Sequence, residues 1–97
     1  MSDQSSLPTA LPIELARQYR FQWEPAQQAH VLLYPEGMVR LEGSAGEIMK
    51  RVDGNTSAEQ IIADLEQAFP GVDLRGDVIA FLEAAYARGW IRVRQDR

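Results

Sequence analysis

The sequence predicts an α+β fold in which a three-stranded antiparallel sheet comes first and a three-helix bundle follows. Two observations predict it. Between Tyr19 and Glu42 apolar residues recur with the period of strands, broken by two turn segments; beyond Gly43 they recur with the period of helices. A length of 97 residues fits one domain.

Residues 1–15 mix Ser, Gln and Thr with Pro8 and Pro12 and offer no periodic apolar face, so they are read as a flexible tail before a single domain over 16–97. Tyr19, Phe21 and Trp23 then alternate with Arg20, Gln22 and Glu24, which gives a first strand with its rings inward. Pro25 to Gln28 make a turn, and the unbroken run Val31-Leu-Leu-Tyr34 marks a central second strand. Pro35-Glu-Gly37 reverses the chain into a third strand, Met38 to Glu42.

Two capping boxes start the helical part. Ser44-x-x-Glu47 opens a helix carrying Ala45, Ile48, Met49 and Val52; Thr56-x-x-Glu59 opens a second, with Ala58, Ile61, Ile62, Leu65 and Phe69 before Pro70-Gly71 stops it. A third helix spans about Leu74 to Arg88, with Gly89 at its C-terminal cap and a short strand over Trp90 to Arg94. The short link between the first two helices makes a helix-turn-helix plausible.

Composition removes many functions. Without cysteine there is no disulfide, thiolate metal site or cysteine nucleophile, and the lone His30 cannot build a metal sphere. Asp64 and Glu66, two apart on a helix, point to different faces, and no glycine loop cradles phosphate. No cofactor is expected, nor is the chain expected to be an enzyme. A formal net charge of −4, and a third helix with Asp77 and Glu83 against Arg75 and Arg88, argue against nucleic acid as partner. With no secretory signal at Met1 to Ala10 and no run of about 18 apolar residues, no membrane partner is expected and the cytoplasm is the expected compartment.

The segments Arg20-Phe-Gln-Trp-Glu-Pro, Val31-Leu-Leu-Tyr-Pro-Glu-Gly-Met-Val and Ser44-Ala-Gly-Glu-Ile-Met resemble the PqqD family. Asp53-Gly-Asn-Thr-Ser, Asp77-Val-Ile-Ala-Phe-Leu and Arg88-Gly-Trp-Ile are similar too, in the same order and spacing. The resemblance implies a winged helix-turn-helix that recognises the precursor peptide PqqA of pyrroloquinoline quinone (PQQ) biosynthesis and presents it to PqqE, a radical S-adenosylmethionine enzyme. It implies a peptide added as a strand beside Met38, Val39, Arg40, Leu41 and Glu42 and against the third helix.

The residues give that mode a basis, because the third strand of a meander has one neighbour and an unpaired outer edge. Main-chain pairing would be lost on replacing Val39 or Leu41 by proline, whichever N–H faces outward. On the third helix Val78, Phe81, Leu82 and Ala85 form an apolar stripe that serves the core and offers one margin to a peptide groove. The alternatives are a quinone-binding protein using the aromatic strand, and a DNA-binding winged helix. The exposed strand edges also allow a homodimer.

Overall fold

The computed structural model describes residues 7–94, so the tail reading at residues 1–6 lies outside the described residues. The elements run β1 Pro12–Leu15, β2 Arg20–Glu24, β3 Ala29–Tyr34, β4 Gly37–Leu41, α1 Ala45–Met49, β5 Thr56–Ser57, α2 Ala58–Ala68, α3 Arg75–Ala87 and β6 Ile91–Val93. They form an α+β fold with two antiparallel sheets, ordered β2-β3-β4 and β5-β1-β6.

The meander follows the alternation read from sequence. β3 is central, with Leu32 paired to Phe21 on one side and Val39 on the other. Paired residues share a face, so Phe21, Leu32 and Val39 point toward the helices, and Arg20, Leu33 and Met38 point away. The continuous apolar run of β3 has its reason here: Val31 and Leu32 face opposite ways and both are fully buried.

The second sheet overturns the tail reading for residues 7–15. β1 is its middle strand, pairing Ile13 with Thr56 and with Val93, while Glu14 holds Arg92 at 2.7 Å. Ile13 is fully buried and Leu7 nearly so, the latter donating its backbone N–H to Glu83 at 3.1 Å. Four residues show no period, and the partners that order them, β5 and β6, lie in the middle and near the far end of the chain.

The helices are thus interleaved with β5 and β6 rather than standing apart as a bundle. The core joins Ile13, Leu32, Ile48, Met49, Ile61, Ile62, Leu65, Val78, Leu82 and Ile91 across both sheets and all three helices. The helix starts also differ from the expected boxes. Ser44 makes no capping bond at α1, which is only one turn long; at α2 the box is formed by Ser57 and Gln60, one residue on, at 3.2 and 2.8 Å. The Thr56 side chain is instead hydrogen-bonded to the Asp53 carboxylate. Gly89 closes α3 with φ +79°, as its position predicts.

Candidate functional site: an open strand edge and an apolar cavity

The outer edge of β4 is the opening expected of the meander. Tyr34 and Gly37 flank a two-residue turn, and such a turn is closed by a hydrogen-bonded pair. Backbone groups alternate along a strand, so Gly37, Val39 and Leu41 bond to β3, and the N–H and C=O groups of Met38 and Arg40 face outward. No backbone bond from another described element reaches them. Neither Val39 nor Leu41 therefore supplies the outward N–H; the sequence alone could not set that parity.

The side chains of this strand have divided roles. Met38 is 43 % exposed on the outer face beside Leu33. Val39 packs against the core and Leu41 is buried in it. Arg40 is held by Glu42 at 3.2 Å, with both side chains exposed.

Past the end of β4 the chain turns through Glu42 and Gly43 into α1, and there an apolar cavity of about 290 Å³ opens. Its walls come from Ile48 of α1, Leu65 of α2 and Val78 of α3, and its rim from Phe69, Val72 and Leu74. Phe69 and Val72 are 45 % and 53 % exposed, an unusual amount for large apolar side chains sharing one hollow. Glu47 and Asp77 supply acidic walls. The hydrogen bond from Lys50, and then that from Arg51, hold the Glu47 carboxyl below its ordinary pKa, so it stays charged.

The third-helix assignments need correction. Leu82 and Ala85 are fully buried, with no surface left for a ligand, because that side of α3 lies on the central core. Val78 is 2 % exposed yet forms part of the cavity wall, whereas Phe81 is not among the residues that line it and packs, partly buried, against the core with its ring 6.4 Å from Trp90. The sequence reading missed Ile48, Phe69, Val72 and Leu74 as cavity residues. A signal for two of them was present, since Phe69 and Val72 flank the Pro70-Gly71 stop, where an apolar residue has no helix face to join.

The aromatic row of β2 is not wholly inward either. Phe21 stacks on His30 at 5.0 Å, but Trp23, near the turn, touches His30 edge-on and is 51 % exposed. The cations of α3 are engaged: Arg75 binds Glu59 at 2.6 Å, and Arg88 lies over the Trp90 ring. Among the described residues no group of three His, Cys, Asp or Glu could hold a metal, and no helix is long and apolar enough to cross a membrane.

Fold and site together define a small α+β domain that offers an open strand edge and an apolar hollow. The chain belongs to the PqqD family, since the family model described as "Coenzyme PQQ synthesis protein D (PqqD)" matches residues 29–91. It is 50 % identical over 91 residues to a protein of Pseudomonas aeruginosa named PqqA binding protein, covering 92 % of this chain and 99 % of that one. A protein of the same name from Azotobacter vinelandii is 53 % identical over 81 residues, covering 82 % and 88 %. The fold matches the solution NMR structure of the PqqD truncation of Methylobacterium extorquens PqqCD, described as a stand-alone recognition element for ribosomally synthesised, post-translationally modified peptides. That match has a TM-score of 0.72 at 23 % identity and covers 93 % of this chain and 99 % of the other.

Proposed function

We propose that this chain is a non-catalytic peptide chaperone of PQQ biosynthesis, which binds the precursor PqqA as an added strand along β4 and presents it to PqqE in the cytoplasm. In this reading the meander serves as the wing of a winged helix-turn-helix. The observation that carries it is the outward pair of backbone donors and acceptors at Met38 and Arg40, with the apolar hollow lined by residues of α1 and α3 that follow in the chain. Relatives about half identical to this chain are named for binding PqqA.

The division of labour follows from chemistry. Main-chain bonds at Met38 and Arg40 hold any extended peptide, so they give affinity without much selectivity. Selectivity comes from an apolar peptide side chain entering between Phe69, Val72 and Leu74, with Glu47 and Asp77 favouring a basic neighbour.

The test is a titration of the isotopically labelled chain with PqqA, followed by amide shifts. Saturable shifts at Met38, Arg40, Phe69 and Leu74 are expected; shifts confined to β5, β6 or the first residues would defeat the site. Addition of PqqE to the loaded protein should then give a ternary complex, and displacement of the peptide by the enzyme would defeat presentation.

A further inference from the structure

The two ends of the β4 edge carry opposite charge. The apolar hollow has Glu47 and Asp77 on its walls, and Glu47 also lines a smaller hollow with Arg40 and Leu41, so this acidic rim stands toward the Leu41 end. At the other end, where the β3–β4 turn meets the segment entering β2, a separate hollow of about 310 Å³ is lined by Leu33, Pro35, Tyr19, Tyr34, Arg17 and Arg20. The two tyrosine rings stand 5.4 Å apart. Tyr34 reaches over the start of β4, since a Cβ at Gly37 would meet its Oη at 3.5 Å. The cationic hollow therefore borders the residue that precedes Met38 on the open edge.

The guanidinium groups of this hollow are unspent. Among the described residues Arg40, Lys50, Arg51, Arg75 and Arg92 are each paired to a carboxylate, Arg88 lies over the Trp90 ring, and Arg94 donates to the Gly54 carbonyl and the Asn55 side chain. Arg17 and Arg20 are the described cations without such a partner, and Glu36, in the adjoining turn, pairs with neither. On a chain of formal net charge −4, the two unneutralised cations share one hollow. Two planar donor forks beside the Tyr34 hydroxyl suit a carboxylate.

We propose that this hollow binds an acidic side chain of the guest peptide, at the end of the guest strand that leaves β4 over Gly37. The proposal rests on strand addition at β4 and deepens it: the edge takes a peptide of fixed charge polarity, acidic toward Gly37 and apolar with a basic neighbour toward α1. The backbone groups of an open strand edge accept a guest in either direction. Charge does not, because a reversed peptide would bring its acidic group to Glu47 and Asp77 and its basic group to Arg17 and Arg20. The cationic hollow thus sets the direction in which the peptide lies.

The experiment titrates the full chain with PqqA and with a form of PqqA in which every Glu and Asp is replaced by Gln and Asn, for the wild type and for Arg17→Gln/Arg20→Gln. Both side chains are exposed, so the double variant should melt with the wild type, and the amide peptide tests the wild type independently of any variant. With PqqA the wild type should show amide shifts at Gln18 and Leu33 beside those at Met38 and Arg40. The double variant should bind PqqA about fivefold to tenfold more weakly, keeping the shifts at Met38 and Arg40 and losing those at Gln18 and Leu33. The amide peptide should bind both proteins alike, and the advantage of the wild type for PqqA should shrink as salt rises from about 50 mM to about 500 mM. A double variant that binds PqqA as tightly as the wild type, or a wild type that binds the amide peptide as tightly as PqqA, would overturn the proposal and leave strand addition in place. Absence of shifts at Met38 and Arg40 in the wild type would overturn strand addition, and the proposal with it.

Discussion

Gly46 lies directly beneath the imidazole of His30, so that a Cβ at this position would stand 2.8 Å from Nδ1 and 3.3 Å from the His30 Cβ. The ring has little room to retreat, since Phe21 stacks on one side of it and Trp23 meets it edge-on. The contact binds the one-turn helix α1 to the sheet at the site's entrance. Gly46→Ala brings a helix-propensity gain of about 1 kcal/mol, but overpacking costs about 1–3 kcal/mol, so net destabilisation is expected. Urea unfolding of Gly46→Ala, His30→Ala and the double variant measures it; the double variant should be more stable than the sum of the single losses predicts.

β1 makes a second prediction. Ile13 is fully buried at the centre of the β5-β1-β6 sheet, where its carbonyl also accepts the Gly54 N–H at 2.9 Å. Ile13→Ala should therefore lose about 2–5 kcal/mol, the range for a buried aliphatic reduced to alanine. Denaturant midpoints at unchanged slope check it, and a loss below about 0.5 kcal/mol would restore the tail reading.

What the sequence disclosed, and what it hid, divides by the range of the interactions. The meander was legible because alternation, two turns and a continuous central run are local. The second sheet was hidden because β1 has four residues and β5 two, and neither acquires a pattern until distant parts of the chain meet. The capping slip is local: Thr56-x-x-Glu59 and Ser57-x-x-Gln60 are both acceptable boxes, and in the fold the Thr56 side chain bonds Asp53 while Ser57 and Gln60 bond each other. At the site, the open β4 edge followed from strand order. Which α3 residues face the core rather than the hollow depends on how the helices cross, which periodicity does not encode.

The backbone parity of β4 separates two proline substitutions only one residue apart. The Arg40 N–H faces outward, so Arg40→Pro keeps the ladder to β3 and removes one donor from the guest strand. It should leave the fold cooperative and weaken PqqA binding about tenfold, the worth of about one hydrogen bond. Val39→Pro removes a bond to the central strand and should unfold the meander. Calorimetric titration beside thermal melts distinguishes them; equal effects on stability would show the parity to be wrong.

The cavity rim offers variants that spare the core. Phe69 and Val72 are about half exposed, so Phe69→Ser or Val72→Asp should change stability by no more than about 1 kcal/mol. If the hollow takes an apolar peptide side chain, either should still weaken PqqA binding about tenfold or more, because the guest would meet a polar group in place of an apolar wall. Unchanged affinity in both would confine recognition to the strand edge.

Acid should loosen the α1–β5 region. Glu47 is lowered chiefly by its hydrogen bond from Lys50 and then by that from Arg51, whereas Asp53 is lowered first by the Asn55 backbone N–H at 2.9 Å and then by the Thr56 side chain. A carboxylate whose folded pKa lies below its unfolded value stabilises the fold above the unfolded value and loses that contribution as pH falls through the folded one. With ordinary values of 4.5 for Glu47 and 3.8 for Asp53, stability from these groups should hold from pH 7 to about 5 and fall progressively below about 4.5. Glu47→Gln should start less stable at pH 7 and show a shallower decline below 4.5, because the group that would take up the proton is gone. Melts at pH 7, 5, 4 and 3 follow this directly. A wild-type decline that the Glu47→Gln and Asp53→Asn variants both reproduce in full would assign the acid sensitivity to other carboxylates.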